Sequence, residues 1–101
     1  MQEIIDEFTE YIIKTRNYSA HTATAYVADI DDFLKFFAEF NGAIVSVRDM
    51  ARADTICFRA WLANRQNRGL SFKSTARALS ALRGFYKYRA KYHDPKNEAI
   101  G

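Results

Sequence analysis

Apolar residues recur along this chain at steps of three and four, the spacing of one helix face, over nearly its whole length. Ile4, Ile5, Phe8, Tyr11 and Ile12 predict a first amphipathic helix over residues 2 to 15. Asn17, a residue type that tolerates left-handed backbone, marks its stop. Ser19 has the short acceptor side chain that caps free amides at a helix start, and Tyr26, Ile30, Phe33, Leu34 and Phe37 supply the buried stripe of a second helix running to the neighbourhood of Phe40. Asn41-Gly42 ends that helix, and Ala43-Ile44-Val45 is a short apolar connector able to run extended.

Ser46 stands three residues before Asp49, a capping-box spacing with Asp in place of the usual Glu, and leaves room for one extra helical turn. A third long helix falls between Arg52 and Asn67, carried by Ile56, Phe58, Trp61 and Leu62 and closed by Asn67-Arg68-Gly69. Either Ser71 or Ser74 can cap the fourth. From Thr75 to about Tyr92, Leu79, Leu82, Tyr86 and Ala90 share one face, and Asp94-Pro95 then breaks the helix. The expected fold is all-α: a compact orthogonal cluster of four helices with short loops and at most one short additional turn. No internal repeat or low-complexity tract interrupts it.

Composition bounds the reading. The chain has 101 residues, 49% hydrophobic and 27% charged, with four Gly and one Pro, which fits one domain (residues 1–93) followed by the start of a linker (residues 94–101). A domain of this size buries roughly two thirds of its unfolded surface, enough for a core without disulfides. Cys57 is the sole cysteine and cannot form an internal bridge, which favours a reducing compartment. His21 and His93 have no second Cys or His at ligand spacing, so neither a metal nor any other cofactor is expected. The start, Met1-Gln2-Glu3-Ile4-Ile5-Asp6-Glu7, is acidic where a secretory signal is basic and then apolar, and no apolar stretch approaches the roughly 20 residues of a membrane span. The expected location is cytoplasmic, with no membrane partner.

Charge changes the picture more than composition does. The net charge is only +3, but residues 1–51 hold four basic and nine acidic side chains, a net of −5, whereas residues 52–101 hold eleven and three, a net of +8. Between residues 65 and 91 stand Arg65, Arg68, Lys73, Arg77, Arg83, Lys87, Arg89 and Lys91 with no acid among them. Such a segment is suited to a polyanion. The plainer alternative is a solvated basic face balanced by the acidic half of the same domain.

At 100° per residue, Lys73, Arg77, Ser80, Gly84, Lys87 and Lys91 lie opposite Leu79, Leu82 and Tyr86, a stripe of cations and small residues. A helix enters the DNA major groove when its outer face lacks bulky apolar groups and carboxylates, and this stripe has neither. Gly84 costs about 1 kcal/mol against Ala in a helix interior, which a close approach by another helix or by a phosphate would justify. On the second helix, His21, Thr24 and Ala28 lie opposite the buried stripe; free amides and the small side chains of Ser19, Thr22 and Thr24 suit phosphate or base-edge contact. Asp29, Asp31, Asp32 and Glu39 gather further along. Ser19 is needed as a cap in any case. No catalytic residues are expected: most of the six tyrosines fit core or core-edge positions, and there is no Gly-rich phosphate loop and no Ser-His-Asp arrangement.

Two blocks carry a resemblance. Asn17-Tyr18-Ser19-Ala20-His21-Thr22, with Ala25-Tyr26, Asp29-Ile30 and Phe33, and then Arg68-Gly69-Leu70-Ser71-Phe72-Lys73-Ser74 followed by Ala78-Leu79-Ser80-Ala81-Leu82-Arg83-Gly84-Phe85-Tyr86, are similar to the N-terminal core-binding domain of tyrosine recombinases, Xer type above all. The likeness runs from Ile4 to Pro95. It implies a SAM-like domain forming half of a C-shaped clamp on double-stranded DNA during integration or recombination, with the second and fourth helices facing the major groove. His21, Thr22 and Thr24 from the second helix, and Arg68, Lys73, Ser74 and Arg77 from the fourth and its approach, are the contacts it implies; Ser80 and Lys87 join them on helical geometry. Xer-like patterns carry more basic residues where this chain has Ala23, Thr24 and Ala25. The family's nucleophilic Tyr and its assisting Arg, Lys and His belong to a C-terminal domain whose motifs are not found here, so this chain alone is expected to hold DNA without cutting it. The resemblance also implies tetrameric assembly with other recombinase subunits, some through the first helix. The competing expectations are a helical protein-interaction domain whose basic face takes an acidic partner, and a self-contained enzyme using a Tyr or His21.

Overall fold

A computed structural model of the chain describes residues 2–42, 46–92 and 99–100. Among them five helices follow in order, α1 (Gln2–Lys14), α2 (Ala20–Asn41), α3 (Val47–Ala51), α4 (Thr55–Asn67) and α5 (Phe72–Tyr92), with no strand. This is the expected all-α cluster: the predicted third and fourth helices are α4 and α5, and α3 is the extra turn. The Ala43-Ile44-Val45 connector, His93, the Asp94-Pro95 break and linker residues 96–98 and 101 lie outside the described residues.

The helix ends are set by the local chemistry of the residues that flank them. Asn17 takes a left-handed φ of 57°, and the Tyr18 amide turns back to the Ile12 carbonyl at 2.9 Å. Ser19 stands extended and its Oγ accepts the Thr22 amide at 3.1 Å, while Gly42, at φ 72°, donates its N–H to the Ala38 carbonyl. Ser46 and Asp49 form a reciprocal capping box, each side chain accepting the other's backbone N–H at 3.1 and 3.0 Å. Asp54, which the hydrophobic pattern did not single out, caps α4 by accepting the Cys57 amide at 2.9 Å. Of the two serines open to cap α5, Ser71 does so, accepting the Ser74 amide at 3.0 Å, and α5 therefore starts three residues before Thr75.

The core follows the predicted periodicity with two corrections. Ile5, Phe8 and Ile12 of α1, Ile30, Phe33 and Phe37 of α2, Phe58 and Trp61 of α4, and Leu82 and Tyr86 of α5 are buried. Ile56, assigned to the buried stripe, is 70% exposed and Cys57 takes its place; Ile56 lies about 200° round the helix from Phe58. On α5, Ala78, Ala81 and Phe85 are buried, and Leu79 and Ala90 sit at the edge of the stripe. Aromatic rings pass contact from helix to helix. Phe8 meets Phe85 edge-on at 5.3 Å, Tyr86 meets Phe58 at 5.8 Å, Phe58 stacks on Phe33 at 5.5 Å, and Phe33 meets Trp61 edge-on at 5.1 Å. The Tyr86 hydroxyl, deep in the core, donates to the Met50 carbonyl and thereby holds α3.

The neighbour of Gly84 is α1: a Cβ there would lie 3.8 Å from Phe8 Cζ, an ordinary van der Waals contact. The space therefore admits a methyl group. Gly84→Ala is expected to stabilise the domain by up to about 1 kcal/mol through helix propensity, read as a rise in the urea midpoint with unchanged m-value.

Candidate nucleic-acid interface

Asp29 and Asp32 are three residues apart on α2, beside the core positions Ile30 and Phe33, so both carboxylates are turned towards α4 and α5. Three donors converge on Asp32 Oδ2: Trp61 Nε1 at 3.1 Å, Arg65 Nη1 at 2.8 Å and Arg68 Nη2 at 2.9 Å. Arg65, with a side chain only 4% exposed, gives its remaining directions to α5, Nε to Thr75 Oγ1 at 3.3 Å and Nη2 to Ser74 Oγ at 3.1 Å, and its guanidinium lies over the Trp61 ring. One buried guanidinium thus ties α2, α4 and α5 together. Next to it Arg77 forms a side-on pair with Asp29, Nε to Oδ2 at 2.8 Å and Nη2 to Oδ1 at 2.9 Å; the carboxylate is 5% exposed and the arginine 47%.

The electrostatics follow from these contacts. Desolvation pushes the Asp32 carboxyl up, but hydrogen bonds from Arg68, Trp61 and Arg65 outweigh it and hold the group below the ordinary aspartate range. The hydrogen bond to Asp32 raises Arg68, and that to Asp29 raises Arg77. Both arginines stay cationic at any pH at which the domain is folded.

The predicted site residues separate into three groups. Arg68, Ser74 and Arg77 are brought together through the two α2 carboxylates and Arg65. Lys73, Ser80 and Lys87 are exposed on α5, and Lys73 and Lys87 have no ion-pair partner among the described residues. His21, Thr22 and Thr24 stand at the start of α2, and no hydrogen bond joins them to α5 among the described residues. His21 and Thr24 are exposed; Thr22 is half-buried and bonded to the Ser19 cap, and the Thr24 hydroxyl donates to the Ala20 carbonyl at 3.0 Å.

Two expectations about this face need correction. It is not without carboxylates, because Asp29 and Asp32 reach across from α2 and neutralise part of it; the acidic half does balance the basic one at these positions. Nor is it without a bulky apolar group, since Phe72 is 90% exposed on the first turn of α5 beside Lys73. Sequence reasoning missed Asp29, Asp32 and Arg65. The signal was present: Asp29 is three residues past Tyr26 and four before Phe33, and Arg65 is four past Trp61, so each continues a buried stripe.

Three of the remaining candidates for chemistry are held in their protonated form. Burial pushes the Tyr26 and Tyr88 hydroxyls up, with Tyr18 and Glu7 respectively adding to it, and burial together with Asp54 takes the Cys57 thiol up to about 11. Among the described residues no group of three or more His, Cys, Asp or Glu could hold a metal, and no helix is long and apolar enough to cross a membrane.

An all-helical domain with a basic helix face braced by two carboxylates of a neighbouring helix, one buried and one half-buried, is the class that this geometry defines. Residues 5–92 match the family described as phage integrase, N-terminal SAM-like domain, and the chain belongs to that family. It is 36% identical over 91 residues to the tyrosine recombinases XerC of Rickettsia canadensis (strain McKiel) and Rickettsia felis (strain ATCC VR-1525 / URRWXCal2), and 34% identical to that of Rickettsia rickettsii (strain Sheila Smith). Each alignment covers 90% of this chain and 30% of the relative, so the chain spans less than a third of the length of these proteins. The resemblance read from the two sequence blocks therefore holds. No solved structure is a significant match to the chain.

The Asp32 cluster, which locks α2 to α4 and through Arg65 to α5, has a pH signature. A carboxylate whose folded pKa is depressed contributes stability that is present above its unfolded value near 3.9 and is lost as pH falls through the folded value. Wild type should exceed Asp32→Asn in stability at pH 6, with the gap narrowing below about pH 4, as urea melts across that range will report. Arg65→Ala, which takes one of three donors from Asp32 and removes the partner that Ser74 and Thr75 share, should cost about 2 kcal/mol at neutral pH in the same melts.

Proposed function

We propose that this chain is a DNA-binding domain of a site-specific tyrosine recombinase, holding duplex DNA during integration or recombination while cutting and rejoining are done by a segment outside this sequence. Family membership supports the reading, and one observation carries it: α5 has no acid along its length, and its exposed Lys73 and Lys87 have no ion-pair partner among the described residues even though acids of the same molecule have paired Arg77, Arg68 and Arg65. These two lysines lie near one face of α5, about 21 Å apart along the helix, and suit two separated phosphates, each of which releases a counterion when contacted. Ser80 lies between them, Arg77 and Arg68 stand near Lys73, and His21, Thr22 and Thr24 offer a second contact at the start of α2. Assembly with further recombinase subunits, as a tetramer on two DNA sites, and a cytoplasmic location belong to the same proposal.

The alternative, a protein-interaction domain for an acidic partner, is favoured by Phe72, whose exposed ring would give such a partner an apolar anchor amid cations.

The two readings separate in a titration. A fluorescein-labelled duplex should bind with an affinity that falls steeply between about 50 and 200 mM salt. Lys73→Gln and Lys87→Gln should each weaken binding and lower the slope of log affinity against log salt by about one, with the helical circular dichroism unchanged. Lysine variants are preferred to Arg77→Glu, which would set two carboxylates against each other at Asp29. Wild type without affinity for the duplex at the lower salt would reject the DNA reading in favour of the protein partner.

A further inference from the structure

We propose that Asp29 is a positioning residue for DNA binding: from its buried seat on α2 it fixes the Arg77 guanidinium so that the unused edge of that group stands ready for a phosphate. This rests on the DNA-binding reading above.

The argument starts from donor bookkeeping. A guanidinium has five N–H groups in a rigid plane. Arg77 spends Nε–H and one Nη2–H on the two Asp29 oxygens at 2.8 and 2.9 Å, which leaves both Nη1 hydrogens and one of Nη2 unspent among the described residues. Those three hydrogens lie on the side away from Asp29. Asp29 itself is held by its burial within α2, whereas nearly half of the Arg77 side chain faces solvent. The fixed partner is thus the acid, and the arginine is the group whose freedom the pair removes. An exposed arginine has many rotamers, and binding must otherwise freeze them. The pair does so before any ligand arrives, while the charge-assisted bond keeps the group cationic.

An acid beside a DNA-binding face would ordinarily weaken binding, and removing it would strengthen binding. Positioning reverses that sign, so the two roles of Asp29 are experimentally opposed.

The test uses the 101-residue chain and a fluorescein-labelled mixed-sequence duplex of about 30 base pairs at about 50 and 200 mM salt. Asp29→Asn, which keeps the shape and removes the charge, should bind about three- to tenfold more weakly than wild type despite its extra net positive charge. Asp31→Asn makes the same charge change two residues further along α2, at a side chain without an ion pair among the described residues, and should bind as wild type or tighter. Asp29→Asn binding as well as or better than wild type would overturn the proposal and leave the DNA reading standing. Asp31→Asn weakened to the same degree would also overturn it, because the effect would then not belong to the pair. Should Asp29→Asn lose its helical circular dichroism, Arg77→Lys decides: lysine keeps the charge but has no second edge to offer once paired with Asp29, so it should bind several-fold more weakly, and wild-type affinity would refute the positioning role. No binding by wild type at either salt would overturn the DNA reading, and the positioning role with it.

Discussion

Everything else in this domain is arranged around a guanidinium that has been taken out of water. Burying the Arg65 side chain costs several kcal/mol unless its N–H groups are met, and they are met by groups on two other helices: Asp32 of α2, and Ser74 and Thr75 of α5. Trp61 adds a further donor to the same carboxylate oxygen and offers its ring face to the same cation. An apolar core of the right volume tolerates small slides of one helix on another; a buried ion bonded to two other helices does not, since any slide leaves a desolvated charge unpaired. No buried side-chain nitrogen or oxygen lacks a partner among the described residues, as that logic requires. The aromatic relay from Phe8 to Trp61 supplies the cohesion, and the polar lock supplies the register.

This register matters at the surface, because the lock lies beneath the face that carries Lys73 and Lys87. Three arginines meet two carboxylates there, which leaves one net positive charge at the junction, with Lys73 next to it and Lys87 further along the helix. Counting basic residues along the chain therefore overstates the field at the start of α5 and understates its order. A smaller number of cations, several of them fixed in direction, binds a regular array of phosphates at a lower ordering cost than a larger number of free ones.

What the sequence made legible follows from which interactions are local. Helix existence, the left-handed stops at Asn17 and Gly69, the Ser19 cap and the Ser46–Asp49 box depend on residues within a turn of one another, and each is found as expected. Ile56 was misplaced because it was grouped with Phe58 as apolar, although two positions on a helix are about 200° apart and cannot share a face. The ion pairs to Asp29 and Asp32 join residues 33 to 48 positions apart, and a carboxylate looks the same in a sequence whether it is solvated or buried. Only its place in the hydrophobic stripe distinguishes it. Applying the stripe rule to Asp29 and Arg65 as strictly as to Phe33 and Trp61 would have marked them as buried polar groups in need of partners.

The opposite charges of the two halves of the chain acquire a spatial meaning in the fold. Glu3, Asp6, Glu7 and Glu10 are exposed on α1, which packs on the later turns of α5, where Tyr11 contacts both Tyr88 and Tyr92, and Glu7 is close enough to help raise the Tyr88 hydroxyl. The first turns of α5 instead meet α2, whose two nearby acids are both turned inward and consumed by arginines. A basic segment that is uniform in sequence is therefore graded in space, shadowed by exposed acids towards its end and clear of them at its beginning. On the DNA-binding reading proposed above, a polyanion approaching such a domain would be steered to the clear end, around Arg68, Lys73 and Arg77, before any specific contact forms.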